Sequence, residues 1–103
     1  MIKVKKYNNT IEISGHANYA PYGEDIVCAS VSSIITTSIN CIMNIDSKSI
    51  SYNDDGEVIT ISKLNSNNTV DIILNTMVDM LKDLESKYNK NIKIESEEWK
   101  CYF

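Results

Sequence analysis

The chain has 103 residues, with ten lysines, no arginine and fourteen acidic residues, for a formal charge of −4. That length fits one domain, taken as 1–103, with a modest core, and the acidic balance argues against direct nucleic-acid binding while favouring attraction of a basic protein. Three cysteines exclude a complete disulfide framework, and the N-terminal MIKVKKYNN lacks the apolar stretch of a secretion signal, so a cytosolic (cytoplasmic) protein with reduced thiols is expected.

Residues 2–7 (IKVKKY) alternate apolar and polar, as a half-buried strand does. Asn8-Asn9 is a turn signal, and residues 10–14 (TIEIS) alternate again, giving a hairpin that ends at Gly15-His16. The segment 17–24 (ANYAPYGE) carries the single proline and reads as a loop. Asp25 is placed as the N-cap of a helix running to about Asn44, with Val27, Val31, Ile34, Ile35, Ser38 and Ile42 on one stripe. This stretch has membrane length, but eight of residues 26–45 are Ser, Thr or Asn, which favours a buried amphipathic helix over a membrane span.

A second hairpin is expected from residues 49–53 (SISYN) and 57–62 (EVITIS), joined by Asp54-Asp55-Gly56. Asn68 is placed as the cap of a second helix. Its inner stripe is Val70, Ile73, Leu74, Met77, Leu81, Leu84 and Tyr88, with Asp71, Asp79, Lys82 and Asp83 outward. Residues 91–95 (NIKIE) form a final strand, followed by a tail with Trp99, Tyr102 and Phe103. The order β-β-α-β-β-α-β predicts an α+β domain, a largely antiparallel sheet with both helices on its apolar face.

The one histidine ends a strand, and twelve residues later Cys28 lies in the first turn of a helix. The intervening loop is long enough to fold back and bring the two together. A free thiol is only about 3% thiolate at pH 7, and a helix start or a neighbouring imidazolium favours the ionised form. In such a pair Cys28 is the nucleophile, His16 the general acid and base, and first-turn N–H groups are candidate oxyanion donors. Spacing alone leaves a second reading open, a core cysteine and a structural histidine.

Other chemistry is set aside. His16, Cys28, Cys41 and Cys101 reach the count for a zinc site, but Cys28 and Cys41 are about 20 Å apart along one helix. Cys41 is therefore read as core, Cys101 as a tail thiol, and neither metal nor cofactor is expected. The same separation weakens a redox-sensor reading of Cys28. Phosphatase chemistry lacks its arginine, and no glycine-rich phosphate loop is present.

The motif Gly15-His16-Ala17, a loop containing Tyr22-Gly23, then Asp25-Ile26-Val27-Cys28-Ala29 and Val31-Ser32 resembles the signature of the bacterial ribosomal-processing cysteine proteases. The resemblance implies a protease that removes an N-terminal extension from a large-subunit ribosomal protein, cutting after a basic residue and a phenylalanine-containing hydrophobic stretch. It implies His16 and Cys28 as the catalytic pair, with Asp25 and Ser32 at supporting polar positions. It also implies a homodimer, with loop 17–24 over the site. The family's loop is often glycine-rich, whereas this one is richer in tyrosine. Asp25, Cys28 and Ser32 share one helix face. The plainer readings are Asp25 as an N-cap and Ser32 as a residue that bonds its own helix backbone. Tyr19, Tyr22 and Gly23 form the candidate substrate-binding loop, with the tyrosines read either as packing on a substrate aromatic or as covers of the core. The competing functional reading is a non-enzymatic, ribosome-associated binding module in which His16 and Cys28 are structural.

Overall fold

In a computed structural model that describes residues 1–21 and 23–97, the order is β1 (Ile2–Tyr7), β2 (Thr10–Ser14), α1 (Ile26–Ile45), β3 (Ile50–Asp54), β4 (Val58–Lys63), α2 (Asn68–Lys87) and β5 (Ile92–Ser96). The expected element order and α+β class are met. The five strands form one sheet in the order β3-β4-β2-β1-β5. Three pairings are antiparallel, and only β1–β5 is parallel.

Local chemistry explains most of the boundaries. Asn8 and Asn9 both take positive φ, 47° and 63°, in a two-residue turn that matches the twist of its flanking strands. It sets Val4 opposite Ile13 and Lys6 opposite Ile11. Helix α2 is capped one residue earlier than expected: Asn67 Oδ1, not Asn68, accepts from the Val70 N–H at 3.2 Å.

The pairing register places Ile2, Val4, Ile11, Ile13, Ile59, Ile61, Ile50 and Ile92 on one face. Against it pack Val27, Val31, Ile35, Ile39 and Ile42 of α1 and Val70, Leu74, Met77, Val78 and Leu81 of α2. Helix α1 is long and apolar enough to cross a bilayer, yet this stripe of it is sealed into the core. Ile39 and Val78 extend the expected stripes.

Two lysines share the apolar face. Lys6 reaches Asn75 Oδ1 at 2.9 Å, and Lys63 pairs with Asp71 Oδ1 at 2.8 Å. Asp71 therefore faces the sheet rather than solvent. The partner that draws it inward, Lys63, lies one residue beyond the strand expected at 57–62. A buried ammonium requires such an oxygen.

Burial falls off across β3 and β4. In the row Asp54–Ile59–Ile13–Val4, the last two are buried, Ile59 is half-buried and Asp54 exposed. The helices leave this corner of the sheet uncovered, beside the start of α1.

Candidate active site

Strand β2 ends at Gly15, whose φ of +86° suits glycine, and a Cβ there would collide with the Met1 carbonyl oxygen. The chain turns at this point and delivers His16, exposed, to the open corner of the sheet. The next residue, Ala17, is buried, and its N–H donates to Cys28 Sγ at 3.4 Å. Its carbonyl accepts from Asn91 Nδ2 at 2.9 Å. One peptide unit thus separates the His16 α-carbon from the sulfur's donor, a span of no more than about 6 Å from that carbon to Sγ.

Asp25 spends both carboxylate oxygens on backbone. Oδ1 accepts from Val27 and Cys28 N–H, each at 3.0 Å, and Oδ2 accepts from Tyr19 N–H at 3.0 Å and Ala20 N–H at 3.4 Å. These donors hold its carboxyl below its ordinary value, foremost the Cys28 N–H, then those of Tyr19, Ala20 and Val27, with desolvation opposing. Asp25 is thus the N-cap, and it also staples loop 17–24 to the helix start. Part of the expected first-turn donor set is occupied: Val27 and Cys28 N–H serve Oδ1, and Ala29 N–H serves the Asp25 carbonyl at 3.1 Å.

A cleft of about 800 Å³ lies between α1 and the β3–β4 hairpin. Ile13, Ile59 and Tyr52 contribute to its apolar floor; Cys28, Ser32, Ile35 and Thr36 line the α1 side; His16, Asp54 and Glu57 lie around its edge. A thiol, an imidazole and an apolar trough in one groove are a set of groups that can serve acyl transfer on an extended peptide.

Of the residues singled out from sequence, His16, Gly23, Asp25, Cys28 and Ser32 all line this cleft. Tyr19 does not; its ring meets Tyr88 edge-on at 5.4 Å between centroids. Tyr22 and the tail residues Trp99, Cys101, Tyr102 and Phe103 lie outside the described residues. Cys41 is exposed, contrary to its core reading: it precedes Ile42, and a step of one residue turns it off the buried stripe. The β3–β4 contributors, Tyr52, Asp54, Glu57 and Ile59, were legible only as a hairpin. Asn91 gave no local signal, since it meets Ala17 across 74 positions.

A family model described as cysteine protease Prp matches residues 1–93. Among similar proteins, the ribosomal processing cysteine protease Prp of Staphylococcus aureus is 38% identical over 85 residues, 80% of each chain. That of Mycoplasma pneumoniae is 32% identical over 99 residues, 94% of this chain and 96% of the relative. The fold also matches the essential ribosomal processing protease Prp from S. aureus in complex with a covalently linked product peptide. There the TM-score is 0.83 at 30% identity, covering 93% of this chain and 97% of the other. The same protease with a substrate peptide gives a TM-score of 0.76 at 28% identity, with the same coverage.

Proposed function

Because this chain belongs to the cysteine protease Prp family, we propose that it is a cysteine endopeptidase that removes the N-terminal extension of a large-subunit ribosomal protein, with Cys28 as nucleophile and His16 as general acid and base. The observation that carries the pairing is the Ala17 N–H at 3.4 Å from Cys28 Sγ, which puts the residue next to His16 against the sulfur. In this reading, rotation about the His16 χ1 brings the imidazole across the remaining distance.

In the proposed reaction the Cys28 thiolate attacks the scissile carbonyl carbon. The C–N bond breaks, the His16 imidazolium gives its proton to the leaving amine, and a thioester remains on Cys28. Neutral His16 then takes a proton from water, the resulting hydroxide attacks the thioester, and the acid product leaves as the sulfur is regenerated. Asp25 holds the loop and helix start in place for these steps, and Ser32, one helix turn along the same face, supports the site's polar edge. No cofactor enters.

The cleft supports the substrate assignment. Tyr52, Ile59 and Ile13 offer an apolar trough for a hydrophobic stretch, and Asp54 and Glu57 are carboxylates suited to a basic residue entering it. The relative crystallised with a covalently linked product peptide supports an acyl-type intermediate. Asn18, Ala20 and Gly23 of the loop line the same cleft and border the proposed peptide path. We also assign the protein to the cytoplasm, as a homodimer that does not bind nucleic acid directly. Support for the dimer comes from α1, which carries no charged residue over Ile26–Ile45 and exposes Ile26, Met43 and Ile45.

The test is cleavage of a synthetic peptide spanning the ribosomal-protein extension. Wild type cuts it once. Cys28→Ala and His16→Ala each lower the rate by at least about 1000-fold, with unchanged circular dichroism. Full cleavage by Cys28→Ala overturns the assignment of the nucleophile, whereas binding of the peptide by wild type without turnover would leave a binding module.

A further inference from the structure

We propose that Asn91 is a positioning residue for this reaction: its side-chain amide fixes the Ala17 segment whose N–H faces Cys28 Sγ. The inference rests on the reading of Cys28 as nucleophile.

Ala17 is held at both of its main-chain polar groups, by Sγ at 3.4 Å on the N–H and by Asn91 Nδ2 at 2.9 Å on the carbonyl. Its methyl group is buried, so the α-carbon between them has little freedom. Asn91 is itself anchored. Its N–H donates to the Tyr88 carbonyl and its carbonyl accepts from the Ile2 N–H, both at 2.8 Å. The end of α2, the start of β1 and the exit from β2 therefore meet at one asparagine, 74 positions from the residue it grips.

The consequence is catalytic because of where the other donors go. The first-turn N–H groups of Val27, Cys28 and Ala29 serve Asp25, which leaves the Ala17 N–H as the described backbone donor on the sulfur. When Cys28 bonds the substrate carbon, the new oxyanion sits two bonds from the sulfur, so a donor placed on Sγ is close to the developing charge. One N–H thus stabilises the charge on sulfur before attack and on oxygen after it. Without the Asn91 amide, the Ala17 carbonyl is released and the preceding N–H swings off this line.

The experiment compares wild type with Asn91→Ala and Asn91→Leu, which differ in volume but both lack the donor. The folded variants are expected to lose about 10-fold in kcat with KM held within about 2-fold. Alkylation of Cys28 by iodoacetamide at pH 7 slows several-fold in parallel. A purely structural asparagine would lower the melting temperature yet leave kcat and alkylation per folded molecule untouched, and that result overturns the proposal. A third arm needs no variant. In wild type, alkylation of Cys28 should shift the Ala17 backbone and Asn91 side-chain amide resonances together, and an unmoved Asn91 amide refutes the coupling. Should wild type leave the peptide uncut while the alkylation and resonance results hold, the substrate assignment fails and the positioning role stands.

Discussion

Replacing Gly15 by alanine should damage the fold far more than the same change at Gly56, although both glycines have nearly the same φ, +86° and +89°. The conformational cost of a Cβ at such angles is shared, about 1–2 kcal/mol. At Gly56 nothing lies within 4 Å of the added carbon, whereas at Gly15 it strikes the Met1 carbonyl oxygen. That backbone cannot retreat freely, because the Ile2 N–H is bonded to the Asn91 carbonyl at 2.8 Å. The collision raises the cost of Gly15→Ala to roughly 3–4 kcal/mol. For a domain of this size about 1 kcal/mol moves the melting temperature by about 4–8 °C. Gly56→Ala should then lose about 5–10 °C and Gly15→Ala about 15–25 °C. Thermal unfolding followed by circular dichroism measures both, and their difference cancels the common effect on the unfolded chain. Cleavage by Gly15→Ala below its transition should also be impaired, since His16 follows directly. Equal shifts for the two variants would refute the argument that the Met1 contact requires a glycine.

Three further outcomes are expected. The depressed Asp25 carboxyl stabilises the fold above the pH at which it titrates when unfolded, and that stabilisation is lost as pH falls through the lower folded value, below 3.8. The melting-temperature gap between wild type and Asp25→Asn should therefore be wide near neutrality and close below that pH, whereas a constant gap would contradict the four-bond account. Tyr52 lines the cleft while remaining 41% exposed, so Tyr52→Ala should raise KM about 10-fold, or about 1.4 kcal/mol, with kcat unchanged; a fall in kcat instead would place the ring at the chemistry. Leu74 is fully buried between α2 and the sheet, and Leu74→Ala should cost about 2–5 kcal/mol, read as a lower urea midpoint at constant slope.

Short-range physics made much of this molecule legible from its sequence. The two-residue Asn8-Asn9 turn, the Asp25 cap and the two helical stripes each depend on neighbours within a few positions. His16, Gly23, Asp25, Cys28 and Ser32 gather at one cleft for the same reason, lying on a strand exit, a loop and a helix start in succession. What stayed hidden depends on contacts distant in sequence. The outward reading of Asp71 failed because Lys63 draws it in from a neighbouring strand. The cleft's β3–β4 side could not be placed without the order β3-β4-β2-β1-β5. Ile39 and Val78 were missed because a helix beside both a sheet and another helix buries a stripe wider than its simplest periodicity.

The most direct test is to catch the enzyme in mid-reaction. Peptide and wild-type protein are mixed, quenched in acid within the first turnover and analysed by intact-mass and fragment spectrometry. A mass gain equal to the N-terminal peptide product less one water, localised to Cys28 and labile to hydroxylamine, is the predicted thioester. Efficient cutting with no adduct at any time point, together with undiminished turnover after Cys28 has been fully alkylated, would contradict a nucleophilic role for that sulfur.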